Sequence, residues 1–302
     1  MKKLNTSVQG WLAVNKPEGI TSAGVVRKIK AHFPRSKIGH AGTLDPFASG
    51  VLLLAFGEAT KLISYAMDKP KSYDFIVRWG EERDTDDVEG VVTQTSAHIP
   101  IAADIEQAIP QFCGKILQTP PLYSAIKIQG RRACDRVRKG EEVVLNPREV
   151  FVSQLAYQGP LGKERGKFTM TCHKGVYVRS IARDLGRALH TFAYVEKLHR
   201  TSCGGFVEKK AIDLHKLLES IGETEISNII TRFDIVLDDI PAILLTQENM
   251  QRLRYGQSIS TSSLDIPGTS LVACKGEKGL VEALAEYSNG HLIPKRVFNI
   301  SN

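Results

Sequence analysis

Residues 39–50 read Gly39-His40-Ala41-Gly42-Thr43-Leu44-Asp45-Pro46-Phe47-Ala48-Ser49-Gly50 and run directly into an apolar stretch at 51–55. Glycines at 39, 42 and 50 let the backbone turn tightly and approach a ligand closely. Pro46 disfavours the α region for Asp45 and holds its backbone extended. The Asp45 carboxylate is therefore presented from a loop, not from a helix face. Taken alone, Asp-Pro reads as a turn cap; its surroundings decide what the carboxylate is for.

Upstream, 11–14 is a short apolar strand closed by the turn residues Asn15-Lys16-Pro17-Glu18-Gly19. Thr21 or Ser22 can cap a helix with Val26, Ile29 and Phe33 on one face, ended by Pro34. Downstream, 51–55 reads as a buried strand and 59–67 as a helix. Residues 72–79 alternate, with Tyr73, Phe75, Val77 and Trp79 on one side, the pattern of a half-buried strand. Further strands are expected at 91–95, 115–117, 124–128, 150–157 and 168–173. Helices are expected at 101–112 and 178–189, the latter turning Val178, Ile181, Ala182 and Leu185 inward. The sum is an α+β fold with a mixed, mostly antiparallel central sheet and flanking helices. Composition shifts near 238–241. A helix at 246–255, closed by Gly256, and strands at 271–274, 281–287 and 292–298 then suggest a small β-rich domain over 239–302, after a larger one over 1–238.

Composition narrows the class. The 302 residues are 42% hydrophobic and 24% charged, as in ordinary globular proteins. No run of about eighteen apolar residues suggests a membrane span, and 1–10 lacks the apolar core of a secretory signal, so a cytoplasmic location is expected. The five cysteines include no Cys-x-x-Cys pair, which removes support for a zinc knuckle or dithiol site. Forty Lys and Arg against 33 Asp and Glu give a formal charge of +7, which favours an anionic partner such as nucleic acid.

The stretch from Gly39 through Pro46, with Ala48-Ser49-Gly50-Val51-Leu52 after it, resembles the catalytic signature of the TruB family of tRNA pseudouridine synthases. Asn15-Lys16-Pro17-Glu18-Gly19-Ile20-Thr21-Ser22 is similar to that family's lysine-proline motif, and Lys71-Ser72-Tyr73 to its tyrosine strand. Asp84-Thr85-Asp86-Asp87-Val88-Glu89-Gly90 resembles its acidic loop. Lys174-Gly175-Val176-Tyr177-Val178-Arg179-Ser180, followed by Asp184-Leu185-Gly186, resembles its arginine motif. The motifs follow the family's order across about 10–205. The resemblance implies a pseudouridine synthase fold with a C-terminal PUA-type RNA-binding domain, and isomerisation of uridine 55 in the T loop of tRNA by base flipping.

It further implies Asp45 as nucleophile, Arg179 as its orienting ion-pair partner, and Tyr73 stacked on the target base. An aspartate is already ionised at neutral pH, so placement is what it needs. His40, Tyr177 and Leu198 would contact the substrate base or line its pocket. Extruding a base costs a few kcal/mol, which stacking offsets only in part, so phosphate contacts are required. Lys127, Arg131, Arg132, Arg136, Arg138 and Lys139 fall within twelve residues or so of one another, in a region that the family uses as an insertion (about 122–148) closing over the T stem-loop. Lys16 either touches RNA or shapes its turn. The acidic run 84–90 fails as a calcium loop, because Val88 stands at a ligand position. No Walker or dinucleotide fingerprint is present, and the redox-neutral isomerisation requires neither cofactor nor metal. The expected species is a monomer bound to tRNA, with no membrane or nucleotide partner. A tRNA-binding folding factor, with modification secondary, is the competing reading.

Overall fold

The computed structural model describes residues 8–220, 228–261 and 269–299. Its centre is a ten-stranded sheet. The main path runs Ile212–Asp213, Gly10–Lys16, Ser49–Phe56, Ala193–Cys203, Lys71–Trp79, Arg165–Cys172, Arg148–Pro160 and Gly114–Gln118. Ile38–Ala41 pairs beside Ser49–Phe56, and Phe206–Val207 beside Ala193–Cys203. The pairing is antiparallel except where Gly10–Lys16 meets Ile212–Asp213 and where Ala193–Cys203 meets Ser49–Phe56. This is the mixed, mostly antiparallel α+β plan expected from the sequence.

The unbroken apolar run 51–55 has a direct cause. Side chains alternate along a strand, and here both faces are covered. Leu52, Leu54 and Phe56 enter one core with Val25, Ile29, Phe33, Phe75 and Leu185. Val51, Leu53 and Ala55 enter a second core with Trp11, Phe233, Val236 and Leu237, which also takes in Ala273, Val281, Leu284 and Phe298 from the C-terminal sheet. That sheet has five strands in the order Ala242–Leu244, Ser270–Lys275, Val281–Ser288, His291–Val297, Ile259–Ser260. It is fastened to the larger part by polar contacts as well: Lys61 donates to Val297 O (3.0 Å) and Arg296 to Lys61 O (2.7 Å).

Local expectations meet the structure with instructive differences. The helix Ser22–Lys30 begins with the Thr21 hydroxyl accepting from Gly24 N (2.9 Å), the capping contact the sequence suggests. The 59–67 helix is a 3-10 turn, Gly57–Leu62, running into Ile63–Asp68. The strand expected at 124–128 is absent over most of that span. Only Lys127–Ile128 pairs, with Arg131–Arg132, in a two-stranded ribbon followed by the short helix Ala133–Val137. Local sequence cannot see why: the segment has no long strand beside it to complete its hydrogen bonds.

Candidate active site

The loop between Ile38–Ala41 and Ser49–Phe56 carries Asp45. Ala48 N donates to Asp45 O (3.2 Å), closing a tight turn over Pro46. The ends of this loop depend on glycine. At Gly50 φ is +102°, and a Cβ there would sit 2.3 Å from Arg200 O. At Gly42 φ is +82°, and a Cβ would lie 3.3 Å from Arg200 Nη1. Neither backbone conformation suits a residue with a side chain.

Lys16 anchors the loop from below. Its side chain is fully buried, and Nζ donates to Pro17 O (3.0 Å), Ile20 O (2.8 Å) and Pro46 O (3.2 Å). Gly19 N also donates to Pro46 O (2.8 Å). Lys16 thus makes the contacts of a turn-shaping residue, one of the two readings its sequence context leaves open, with Nζ taken up by three carbonyls. Burial lowers its pKa to about 8, against the opposing pull of Asp45 and Glu18.

Arg179 faces Asp45 from the first turn of the helix Val178–Ala188. Its Nη2 donates to Asp45 Oδ1 (3.2 Å). Nε lies 2.9 Å from Oδ2 but out of line for a hydrogen bond, so the attraction there is ionic. Arg179 also donates to Thr85 O (2.8 Å) and Tyr123 O (3.1 Å), and its Nη1 is 3.4 Å from Asp87 Oδ2. The arginine is 4% exposed and Asp45 33% exposed, so the carboxylate is the end that meets solvent or substrate. Arg179, Arg183 and Arg187 are spaced four apart and share one helix face. Arg183 pairs with Asp86 (2.9 Å) and Arg187 with Glu82 (2.9 Å). The acidic loop that fails as a calcium site thus braces the arginine helix. Burial pushes Asp86 up to about 6 although Arg183 pulls it down.

These residues open on a cleft of about 340 Å³, near the lower end of the roughly 300–1,000 Å³ usual for small-ligand sites. Asp45, Tyr73, Tyr177, Arg179 and Leu198 all line it. Tyr73, on the central strand Lys71–Trp79, is 8% exposed, and burial raises its phenol to about 12, so it is neutral and a donor at physiological pH. Burial also raises Tyr177. Gln118 grips the Tyr177 backbone through both N–H and C=O (2.8 and 3.1 Å) and so fixes the start of the arginine helix. His40 lies on Ile38–Ala41, outside the residues that line the cleft, with Nδ1 buried and unpartnered. Burial and the nearby Arg200 lower its pKa, which keeps it neutral.

Two buried cations that line the cleft, Lys71 and Arg200, were not singled out as site residues from the sequence. Sequence reasoning also missed the strand Ala193–Cys203 that carries Arg200, although the alternation of Tyr194, Glu196, Leu198 and Arg200 with their neighbours gives little periodic signal to find it by.

In the insertion, Lys127, Arg131, Arg132, Arg138 and Lys139 line a basic hollow of about 650 Å³ together with Asp135. Arg132 pairs with Asp135 (2.7 Å). Glu141, just beyond the basic run, pairs with Arg131 and with Arg136 (2.7 Å). The Arg131–Glu141 and Arg132–Asp135 pairs reach the surface, where ion pairs are worth little, while Arg136 is only 22% exposed. Among the described residues no group of His, Cys, Asp and Glu has the arrangement of a metal site. No helix among them is long and apolar enough to cross a membrane.

Two family models match successive stretches of the chain, together residues 29–238. TruB family pseudouridylate synthase (N terminal domain) matches residues 29–178, and tRNA pseudouridylate synthase B C-terminal domain matches 179–238. The chain belongs to the TruB family. It is therefore a pseudouridine synthase, an isomerase. Among curated TruB relatives, the tRNA pseudouridine synthase B of Nitrobacter winogradskyi is 45% identical over 299 residues, covering 97% of this chain and 84% of its own. That of Bradyrhizobium diazoefficiens is 44% identical, covering 97% and 87%. The TruB fold also aligns with the solved structures "Crystal Structure of a Cbf5-Nop10-Gar1 Complex" (TM-score 0.74, 24% identity, 96% of this chain and 85% of that one) and "Structure of H/ACA RNP bound to a substrate RNA containing 2'-deoxyuridine" (TM-score 0.73, 22%, 96% and 85%). At those identities the likeness concerns the fold, here the TruB pseudouridine synthase fold. The two TruB segments meet at 178/179, where the arginine helix begins, and strands on both sides of that point share the ten-stranded sheet.

Proposed function

We propose that this chain converts uridine 55 in the T loop of tRNA to pseudouridine, with Asp45 as nucleophile, acting as a monomer in the cytoplasm. The observation that carries this reading is the single cleft in which Asp45, held by Arg179, faces Tyr73, Tyr177 and Leu198. A pure RNA binder gains nothing from a carboxylate turned toward an anionic ligand; a nucleophilic catalyst requires one. Arg179 pairs with that carboxylate and fixes its direction, and holding nucleophile and target in register is worth about 7–11 kcal/mol. The uracil, swung out of the loop, stacks on Tyr73 against the apolar wall of Leu198, while the ribose carbon or ring carbon under attack meets Asp45.

Binding is assigned to other surfaces. The insertion over about 122–148, through Lys127, Arg131, Arg132, Arg136 and Arg138, takes the phosphates of the T stem-loop. Residues 239–302 act as a PUA-like RNA-binding domain on the catalytic part, 1–238. The relatives' shared name, tRNA pseudouridine synthase B, supports the choice of tRNA. The test is nucleoside analysis of unmodified tRNA after incubation with the protein. Pseudouridine is expected at position 55 with wild type, and none with Asp45→Asn or on tRNA bearing cytidine there. Tight tRNA binding with no pseudouridine from wild type would favour the folding-factor reading instead.

A further inference from the structure

The cleft holds a second charged group besides the Asp45–Arg179 pair. Arg200 is 1% exposed and Lys71 6% exposed, and both line the cavity beside Tyr73 and Leu198. Arg200 donates from Nε to Val51 O (2.7 Å) and from Nη2 to Gly42 O (3.0 Å), and its guanidinium also meets the Tyr73 hydroxyl. Lys71 donates from Nζ to Met67 O (2.6 Å) and Lys69 O (3.0 Å). A Cβ built at Gly42 would lie 3.3 Å from Arg200 Nη1 and 3.4 Å from Lys71 Cε, so both cations reach the same point of the Asp45 loop. Among the described residues neither forms an ion pair with a carboxylate. Burying an unpaired cation costs several kcal/mol, which carbonyl dipoles offset only in part. Two such cations side by side in a ligand cleft leave a positive site that an anion would complete.

We propose that Arg200, backed by Lys71, stabilises the negative charge that the uracil ring carries between its release from C1′ and its reattachment through C5. This rests on the reaction proposed above, and it holds for either point of attack. If Asp45 attacks C1′, a carboxylate oxygen bonds to C1′ as the C1′–N1 bond breaks, and that electron pair leaves on the ring, spread over N1, O2 and O4. If Asp45 adds to C6, the C5–C6 π electrons move onto O4 as an enolate; the C1′–N1 bond then breaks, its electron pair staying on N1, which takes a proton from water, and C1′ is left as an oxocarbenium. Either way the ring is anionic before C5 bonds to C1′; the carboxylate is then released, from C1′ as C5 attacks in the first case and from C6 as the C5 proton leaves in the second. The C5 proton passes to water, and N1 takes one from water where it has not already done so. Fixed donors in a site closed to bulk solvent stabilise such charge far better than water does, because they need no reorganisation as it develops. The neutral Tyr73 phenol, tied to Arg200, adds a further donor beside it.

The test compares single-turnover loss of the target N-glycoside from tRNA carrying uridine or 5-fluorouridine. Fluorine at C5 makes the base more acidic, so its anion needs less help. Arg200→Met is expected to slow the uridine reaction about 100-fold, within the range for removing one oxyanion donor, and the 5-fluorouridine reaction about tenfold or less. Arg200→Lys should recover part of the loss, and tRNA affinity should stay within about twofold of wild type. Equal losses on the two substrates, or no loss, would overturn the inference, since a residue that merely holds the loop slows both alike. If circular dichroism shows that Arg200→Met does not fold, Lys71→Met carries the same comparison with the same criterion. A wild type that forms no pseudouridine defeats the reading of the reaction itself, an outcome distinct from an active wild type whose variants lose equally on both substrates.

Discussion

Replacing Arg179 by lysine keeps the charge and removes the fork. In the native site the guanidinium serves Asp45, Asp87, Thr85 O and Tyr123 O at once, at 4% exposure. One ammonium on a shorter reach cannot span acceptors set on three sides, so at least two charge-assisted contacts are lost. At about 1.5–3 kcal/mol each, that is about 3 kcal/mol at the lower bound. Loss of the Asp45 contacts frees the nucleophile to rotate, and if that penalty falls on the transition state it slows the reaction by about 10²-fold. Arg179→Met goes further. It leaves Asp87, itself 4% exposed, as a buried carboxylate without its cation, and breaking a buried pair in this way costs about 3–5 kcal/mol. The assays are a single-turnover rate at saturating enzyme and a urea titration on the same preparations. Arg179→Lys should lose both rate and stability, the latter by about 3 kcal/mol, and Arg179→Met should lose more of each. An Arg179→Lys enzyme within threefold of wild type in rate would refute the argument that the fork orients the nucleophile.

Lys16 carries a pH signature. Its folded-state pKa of about 8 lies below the ordinary 10.5, so across that window the unfolded chain binds a proton that the native chain has released. The stability of wild type relative to Lys16→Met should therefore rise with pH from about 8 to 10.5 in urea titrations. Activity should move the other way: a neutral amine has two N–H groups for three carbonyls, so the Asp45 turn loosens and the rate falls above about pH 8, a limb that the variant lacks. Gly50→Ala places a Cβ against the Arg200 backbone at φ +102°; strain of about 1–3 kcal/mol, together with a displaced loop, should lower the urea midpoint and the rate, both measurable on purified protein. Reversing Arg131 and Arg132 to glutamate should weaken tRNA binding and flatten the slope of log K against log salt by at least about 1.4, on the single-strand coefficient of about 0.7 per phosphate; an unchanged slope would remove the insertion from the interface.

The sequence was most informative where chemistry and local geometry coincide. The glycine and proline spacing around Asp45 announced a presented loop, and the alternation of 72–79 correctly turned Tyr73, Phe75, Val77 and Trp79 inward. The arginine stripe at 179, 183 and 187 was there to be read from its four-residue spacing, but its acidic partners lie about a hundred positions away and only the fold brings them near. The same distance hid Arg200. Its neighbours Gly42, Val51 and Tyr73 come from two other strands and a loop, and nothing local to His199-Arg200-Thr201 distinguishes a buried guanidinium from a surface one. Lys16 was ambiguous for a related reason: a lysine beside a turn can face phosphate or carbonyls, and only the fold shows its three carbonyl acceptors. The parallel pairing of Ala193–Cys203 with Ser49–Phe56 is likewise set by packing across the sheet and leaves no mark on either strand.

The most direct test of the account is tritium release from tRNA labelled at uridine C5, since the C5–H bond must break when the base rejoins the ribose through carbon. Wild type should release one tritium per tRNA carrying uridine at position 55, and a folded Asp45→Asn protein that still binds tRNA should release none. Release at the wild-type rate by Asp45→Asn would show that the carboxylate is not the nucleophile.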